Sequence, residues 1–313
     1  MPVQEADVIP LRPRAPEPTV RPPRPLASVT ELRPRPESVA DRLAGFVRNR
    51  LRGDYPVDEF GFDPQLTDAV VMPPLRMIYE RWFRVEVTGA ANLPVDGGAL
   101  IVANHSGTLP WDAVMTAIAV HDNHPRGKHL RMLGADLVFK VPGLSALARR
   151  TGQTLACGAD AQRLLRSGEL VGVWPEGFKG IGKPFSERYR LQRFGRGGFA
   201  RTAMKAGVPI VPCSIVGAEE IYPKVADLKP LAKLLGLPYL PVTPFFPLLG
   251  PLGAIPLPTK WRIDFGEPIH TGLVDQAEAD DHGVGLELAE YVRDTIQKTL
   301  DSMVAERRSV FRG

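Results

Sequence analysis

"ALIVANHSGTLPWDAV", residues 99–114, drives an unbroken apolar run into Asn104-His105 and then, after a loop of small residues and a proline, into Asp112. A short apolar run closed by a turn reads as a buried strand, and the residues after Pro110 read as a helix start. One reading of the junction is structural: strand end, turn, and Asp112 as a cap on the positive end of a helix dipole. The other is chemical. In open α/β sheets, reacting groups gather at the carboxyl ends of strands. A histidine of ordinary pKa, about 6.5, can take up a proton there at neutral pH. A carboxylate on its far ring nitrogen would fix the tautomer and stabilise the imidazolium.

Outward from this stretch, apolar runs and helical periods alternate. "FRVEVTGA" (83–90) has the period of a half-buried strand, and further strands are expected near 130–134 and in "LVGVWP", "VPIVPCSIVG" and "WRIDFGEPI". Helices are expected near 112–120, 142–150, 158–167, 196–206 and 284–306. This alternation predicts an α/β fold with a central, largely parallel or mixed sheet flanked by helices. No internal repeat is visible. Ahead of the sheet, "PQLTDAVVMPPLRMIYERWF" (64–83) reads as helices interrupted at Pro73-Pro74.

Ser38 is placed to cap a helix in "VADRLAGFVRNRLRGD" (39–54). Val39, Leu43, Phe46, Val47 and Leu51 share one face, with Arg42, Arg48, Arg50 and Arg52 elsewhere. Such a helix either lies on anionic lipid or packs on the domain as an ordinary surface helix. Residues 1–36 hold ten prolines and no apolar period, the composition of a disordered Pro/Arg-rich tail. The expected organisation is a tail at 1–36, N-terminal helices at 37–83 that either face a membrane or pack on the domain, and an α/β domain at 84–313.

The 313 residues carry a net charge of +4, which suits an anionic partner such as a phospholipid surface or coenzyme A without choosing between them. No basic face interleaved with aromatic residues is visible, so nucleic acid is not an expected partner. Two cysteines, Cys157 and Cys213, make no disulfide framework and imply a reducing compartment. The N-terminus, with Glu5 and Asp7 and no apolar core, does not resemble a signal peptide. The uncharged run 234–258 is long enough to span a bilayer, but its seven prolines forbid a continuous helix. It is expected either to dip into a membrane interface or line an acyl-chain groove, or to cover the core as an irregular loop. His121, His124 and His129 in "HDNHPRGKH" are expected in an exposed loop without a fitting carboxylate or thiolate set, and no metal or other cofactor is expected.

A second chemical signal is "VGVWPEGFKG" (171–180), where another apolar strand ends in Pro175-Glu176-Gly177, followed by Lys179 and Lys183. A carboxylate at a strand end, a glycine for close backbone approach and a flexible cation suit a polar or phosphorylated group. Arg188, Arg190, Arg193, Arg196 and Arg201 follow, either as a phosphate-binding cluster or as a solvated face. "FGRGGF" is glycine-rich but follows no strand, and no Walker-type or dinucleotide loop is present.

Taken in order, Asn104-His105 with Asp112, Pro175-Glu176-Gly177, and Val208-Pro209-Ile210-Val211-Pro212 resemble the motif blocks of the glycerolipid acyltransferase superfamily, typified by 1-acylglycerol-3-phosphate acyltransferase. The resemblance covers residues 80–270. It implies His105 as general base oriented by Asp112. It also implies substrate contacts from Asn104, Ser106, Gly107, Pro175, Glu176, Gly177, Lys179 and Lys183. The co-substrate would be acyl-CoA or acyl-ACP (acyl carrier protein), the acceptor a lysophospholipid or related glycerolipid, and the location the cytoplasmic face of the cell membrane, held peripherally. Two departures stand out. The loop from His105 to Asp112 is longer than the family's usual pattern. No arginine stands near Gly158 where the family's acceptor-phosphate arginine falls, and Lys179 takes the place of another. Arg149, Arg150 or the cluster after Lys183 are the candidate substitutes. Ser106 lacks the elbow of a serine nucleophile. Two other functions fit the same residues: a lipid-binding scaffold that has lost the chemistry, and a thioesterase or lipid hydrolase in which the histidine activates water.

Overall fold

All five residues of Ala99–Ala103 are buried, because helices cover both faces of their strand. The computed structural model describes residues 38–107, 109–140, 143–234, 240–272 and 276–313; the tail expected at 1–36 lies outside them. The strands in chain order are β1 (Glu86–Thr88), β2 (Ala99–Ala103), β3 (Leu130–Gly134), β4 (Thr154–Leu155), β5 (Leu170–Val173), β6 (Ile210–Val216), β7 (Ala226–Asp227), β8 (Pro241–Val242) and β9 (Arg262–Phe265). Seven of them form one sheet in the order β1-β9-β6-β2-β5-β3-β4, while β7 and β8 pair separately. From β6 to β4 the neighbours run parallel. Only β9 turns against β6, and β1 follows β9. The sheet is therefore mixed and largely parallel, flanked by helices, as the alternation predicts.

Side-chain alternation along β2 divides the core. Ala99, Ile101 and Ala103 join Val211, Cys213 and Ile215 on one face, against Met115 and Ile118 of the Trp111–Asn123 helix and Tyr79 and Phe83. Leu100 and Val102 face the other way, onto Leu164 and Leu165, Ala200 and Ala203, and Val292, Ile296 and Leu300 of the long His282–Glu306 helix. Each wholly buried Leu, Ile or Val contributes about 1.5–3 kcal/mol. Cys213 is at the centre of this core, and burial pushes its thiol pKa up. Cys157 is only half-buried, and its sulfur accepts the Asp160 N–H at the start of the Gly158–Arg166 helix.

Pro73-Pro74 do not interrupt the N-terminal helix. Helical backbone runs continuously over 64–82, alternating α segments (Pro64–Leu66, Met72–Met77) with π segments (Thr67–Val71, Ile78–Trp82). The prolines sit in the first turn of Met72–Met77, and the wider π turn before them lets the Met72 N–H reach back to the Thr67 carbonyl. A register that skips one residue accommodates two rings that have no N–H to donate.

The Val39–Arg52 helix begins on a Ser38–Asp41 capping box and ends on a left-handed Gly53. Its polar side fastens it to the body, through an Arg50–Asp63 ion pair and a 3.4 Å bond from Asn49 to Gln65. None of its residues is buried, and Val39, Leu43, Val47 and Leu51, spaced one turn apart, stand exposed in a row. Leu248, Leu249, Leu252 and Ile255, in and beside the short Gly250–Ala254 helix, are exposed as well. No helix among the described residues is long and apolar enough to cross a membrane.

Candidate active site

The register of β2 against β5 brings the two chemical motifs together. Val102 pairs with Val173, so His105 and Glu176 each lie three residues past the same rung of the sheet. Parallel strands end side by side, and their outgoing loops must meet.

His105 Nδ1 lies 2.6 Å from Asp112 Oδ2. That oxygen also accepts the Ser106 N–H at 2.8 Å, and Oδ1 accepts the Ala113 N–H at 2.8 Å. The Asp112 side chain is wholly buried in the first turn of its helix, where the dipole favours its charge. Bonded to a carboxylate, Nδ1 carries the proton, which leaves the Nε2 lone pair facing outward. No hydrogen bond among the described residues engages Nε2, and the ring is 17% exposed. The longer His-to-Asp loop therefore still closes. Trp111 at its end donates to Tyr222 Oη at 3.1 Å, and Tyr222 donates in turn to the Ala254 carbonyl at 2.6 Å.

Glu176 lies behind this pair. Its Oε1 accepts the His105 N–H at 2.9 Å, and its Oε2 accepts the Gln192 N–H at 2.7 Å. Lys183 Nζ stands 3.3 Å from Glu176 and donates to Glu219 at 3.1 Å and to the Arg190 carbonyl at 3.2 Å. One buried ammonium thus sits between two buried carboxylates. Glu219 also accepts the Tyr189 N–H at 3.0 Å. Burial pushes the Glu219 carboxyl up to about 7 against the pull of Lys183, with Glu176 adding to the rise.

The expected substrate contacts occupy two different positions. Asn104 is not among the groups that face substrate: wholly buried, its amide exchanges two bonds, 3.0 and 2.8 Å, with the Ile215 carbonyl and N–H. It extends the β2–β6 ladder by a side chain, and both ends of its amide are bonded to backbone rather than turned to a ligand. Glu176 is likewise committed to backbone N–H groups and Lys183. Ser106 is buried, with its hydroxyl unpaired, while Pro175 and Gly177 are half-buried and Lys179 is exposed. Gly177 adopts φ +54°, ψ −142°, a backbone open to glycine, but nothing stands within 4 Å of where its Cβ would be. The close approach falls instead at Gly180, where a Cβ would sit 2.6 Å from that of Glu176 and 3.1 Å from that of His105.

Beside the histidine loop opens a small polar cleft of about 20 Å³, bounded by Gly107, Lys183, Arg188, Glu219, Tyr222 and Lys224. Arg188 comes from the arginine run, whereas Arg190, Arg193 and Arg196 are simply exposed. Arg149 lies over the Phe139 ring, 5.0 Å from its centre. On another side of the Trp111–Asn123 helix lies an apolar cavity of about 190 Å³, walled by Met72, Leu75, Val114, Ile118, Met132 and Leu147 among others. Gly180, Glu219, Tyr222 and Lys224 carried no signal by themselves; the repeated glycines of "GFKGIGKP" were the available hint for the first.

An uncommitted imidazole backed by a buried carboxylate, at the carboxyl ends of parallel strands, is an arrangement chemically able to take a proton from a polar group. A family model described as "Acyltransferase" matches residues 84–216. An uncharacterized protein of Mycobacterium bovis is 58% identical over 87% of this chain and 76% of its own, and one of Mycobacterium leprae 57% identical over 87% and 74%. The human protein named "DGAT1/2-independent enzyme synthesizing storage lipids" is 30% identical over 70% of this chain and 62% of its own. In fold, the chain is similar to the crystal structure of the 1-acyl-sn-glycerophosphate acyltransferase PlsC from Thermotoga maritima, with a TM-score of 0.52 and 19% identity over 85% of this chain and 90% of that one. An acyltransferase-family segment thus covers residues 84–216, and the fold around it is similar to that of a glycerolipid acyltransferase.

Proposed function

We propose that the protein moves a fatty acyl group from an acyl thioester, carried by coenzyme A or acyl carrier protein, to the hydroxyl of a lysophospholipid or related glycerolipid. The observation that carries this reading is the 2.6 Å bond from His105 Nδ1 to buried Asp112, with Nε2 left uncommitted. In the reaction, Nε2 takes the acceptor's hydroxyl proton as that oxygen bonds to the thioester carbonyl carbon. The tetrahedral intermediate then expels the thiolate as the C–S bond breaks, and the imidazolium returns the proton to it. Asp112 holds the tautomer and stabilises the transient positive charge.

The two hollows suit the two halves of such a reaction. The apolar cavity of about 190 Å³ suits part of an acyl chain, and exposed Arg188 at the rim of the small polar cleft suits a charged oxygen of a head group. Arg188 is then the candidate to replace the family's missing arginine. The exposed row Val39, Leu43, Val47, Leu51 and the exposed Leu248, Leu249, Leu252 and Ile255 support peripheral contact with the membrane in which a lipid acceptor resides. With net charge +4, the cytoplasmic, anionic face of the cell membrane is the fitting surface.

The test is purified protein with radiolabelled acyl-CoA or acyl-ACP and a panel of lysophospholipid and glycerolipid acceptors. An acylated lipid that disappears in folded His105→Ala supports the proposal. Free fatty acid released without acceptor would make the protein a thioesterase or hydrolase, and lipid binding without turnover would make it a scaffold. Either result overturns it.

A further inference from the structure

Asp68, His121 and His129 come from three elements separated in sequence, yet their ligand atoms lie within 4.8 Å of one another. His129 Nε2 is 2.8 Å from Asp68 Oδ1, and His121 Nε2 is 3.6 Å from the same oxygen. A tetrahedral zinc ion with bonds of about 2.0–2.1 Å holds its ligand atoms about 3.3 Å apart, between these two separations. His121 Nδ1 lies 3.0 Å from Asp122 Oδ1, and Asp122 is clamped by Arg76, whose Nε lies 3.1 and 2.9 Å from the two carboxylate oxygens and whose Nη2 lies 2.6 Å from Oδ1. Arg76 Nη2 also approaches His121 Nδ1 at 3.1 Å. A metal at Nε2 would select the tautomer with the proton on Nδ1, shared toward Asp122, and leave Arg76 bonded to that carboxylate rather than to the ring. This is the carboxylate–histidine–metal arrangement, in which the outer acid fixes the ligand's tautomer.

We propose that Asp68, His121 and His129 bind one divalent transition-metal ion of the zinc class, with a fourth position left to water. The donor set of two imidazoles and one carboxylate suits zinc, and the side chains are 37%, 19% and 16% exposed, open enough for an ion to enter. The third histidine of the run is excluded. His124 accepts two backbone N–H bonds at Nδ1 and reaches the Pro94 carbonyl through Nε2. The site is not part of the His105 centre: His121 lies nine residues beyond Asp112 on the same helix, roughly 14 Å of rise away. Its role is to tie the 64–82 helical run to the Trp111–Asn123 helix and to the residue entering β3. His129 and Thr67 also wall the apolar cavity, so the ion would brace one side of that hollow.

The test uses the full chain, stripped with chelator and dialysed, then titrated with Zn²⁺ alone, with Co²⁺ absorption in the visible range reporting coordination geometry. Wild-type protein should bind one equivalent saturably, gain several degrees in Tm, and give the intense bands of tetrahedral cobalt. Asp68→Asn, His121→Ala and His129→Ala should each lose that equivalent, Asp122→Asn should bind about 10–100-fold more weakly, and the exposed His270→Ala should be unchanged. If wild-type protein takes up no saturable equivalent, or the His121→Ala/His129→Ala double variant binds as wild type does, the proposal is wrong. Should the ligand variants fail to fold, the wild-type cobalt spectrum still decides, because an octahedral or absent spectrum rejects the site.

Discussion

The Glu176 carboxylate receives the His105 backbone N–H at 2.9 Å and, with its other oxygen, the Gln192 N–H at 2.7 Å. It therefore joins the loop after β2 to the loop after β5 and the one that follows, and sets the height of the imidazole above the sheet. Glu176→Gln should retain one acceptor oxygen but lose the Lys183 pair, costing about 1–3 kcal/mol of stability. Glu176→Ala should cost about 3–5 kcal/mol, since it leaves a buried ammonium short of a partner. Urea denaturation reads both. Equal stability of the Ala variant and wild type would remove Glu176 from this role.

Removal of the acid behind the base separates orientation from binding. Asp112→Asn should lower kcat by about 10²–10⁴-fold, the usual range for a general base, with KM for the thioester little changed. His105→Ala should fall by as much or more. Steady-state kinetics on folded variants would show it, and a drop confined to KM would argue that the pair binds substrate without moving a proton.

Gly180 stands where a methyl group has no room, 2.6 Å from Glu176 Cβ and 3.1 Å from His105 Cβ. Gly180→Ala should displace the short helix after Gly177 and lower activity at least about tenfold, with a stability loss of about 1–3 kcal/mol. Gly177→Ala meets no such wall. Its cost should come from backbone strain alone, about 1–3 kcal/mol. Activity measured with Tm for the two variants distinguishes crowding from strain.

Glu219 makes a pH prediction. Burial, opposed by Lys183, holds its carboxyl at about 7 in the folded chain, while the unfolded chain releases that proton near the ordinary 4.5. Between those values the native state binds more protons than the unfolded one, so this group's contribution to stability falls as pH rises from 4.5 toward 7 and is level above. The groups facing it are Lys183, the Tyr189 N–H and Glu176. Glu219→Gln should flatten the pH dependence of the urea midpoint over that interval; an identical slope in both proteins would contradict the assignment.

Surface attachment can be read by sedimentation with anionic phospholipid vesicles. Replacing Leu248 and Leu252 with Ser, or Val47 and Leu51 with Ser, should cut the bound fraction several-fold while leaving Tm nearly unchanged, since all four side chains are exposed. Undiminished binding of the combined variant would mean that the apolar residues do not touch lipid.

Much of this was legible in the sequence because the signals were local. A short apolar run closed by a turn predicts a buried strand from its own residues, so β2, β5 and β6 and the helices between them could be read locally. Motif order was equally visible. Pairing was not: the rung linking Val102 to Val173 depends on register, which no single segment states. The same holds for Asn104, whose bond to Ile215 reaches 111 residues along the chain and turns an apparent ligand group into a ladder extension. Pro73-Pro74 misled for another reason. Proline breaks an α-helix, but the π turn before it supplies a register in which the ring fits. Asp68 is 53 residues from His121, so the histidine run by itself does not show the carboxylate that the fold brings to it.

Since His105 and Glu176 are aligned by one rung between adjacent strands, their meeting does not depend on the path the chain takes between them. New termini opened at exposed Ser167, with the old ends rejoined through a linker, would leave that rung and its two outgoing loops intact. The centre is in this sense portable: it would survive circular permutation, while a single-residue deletion inside β2 would dismantle it.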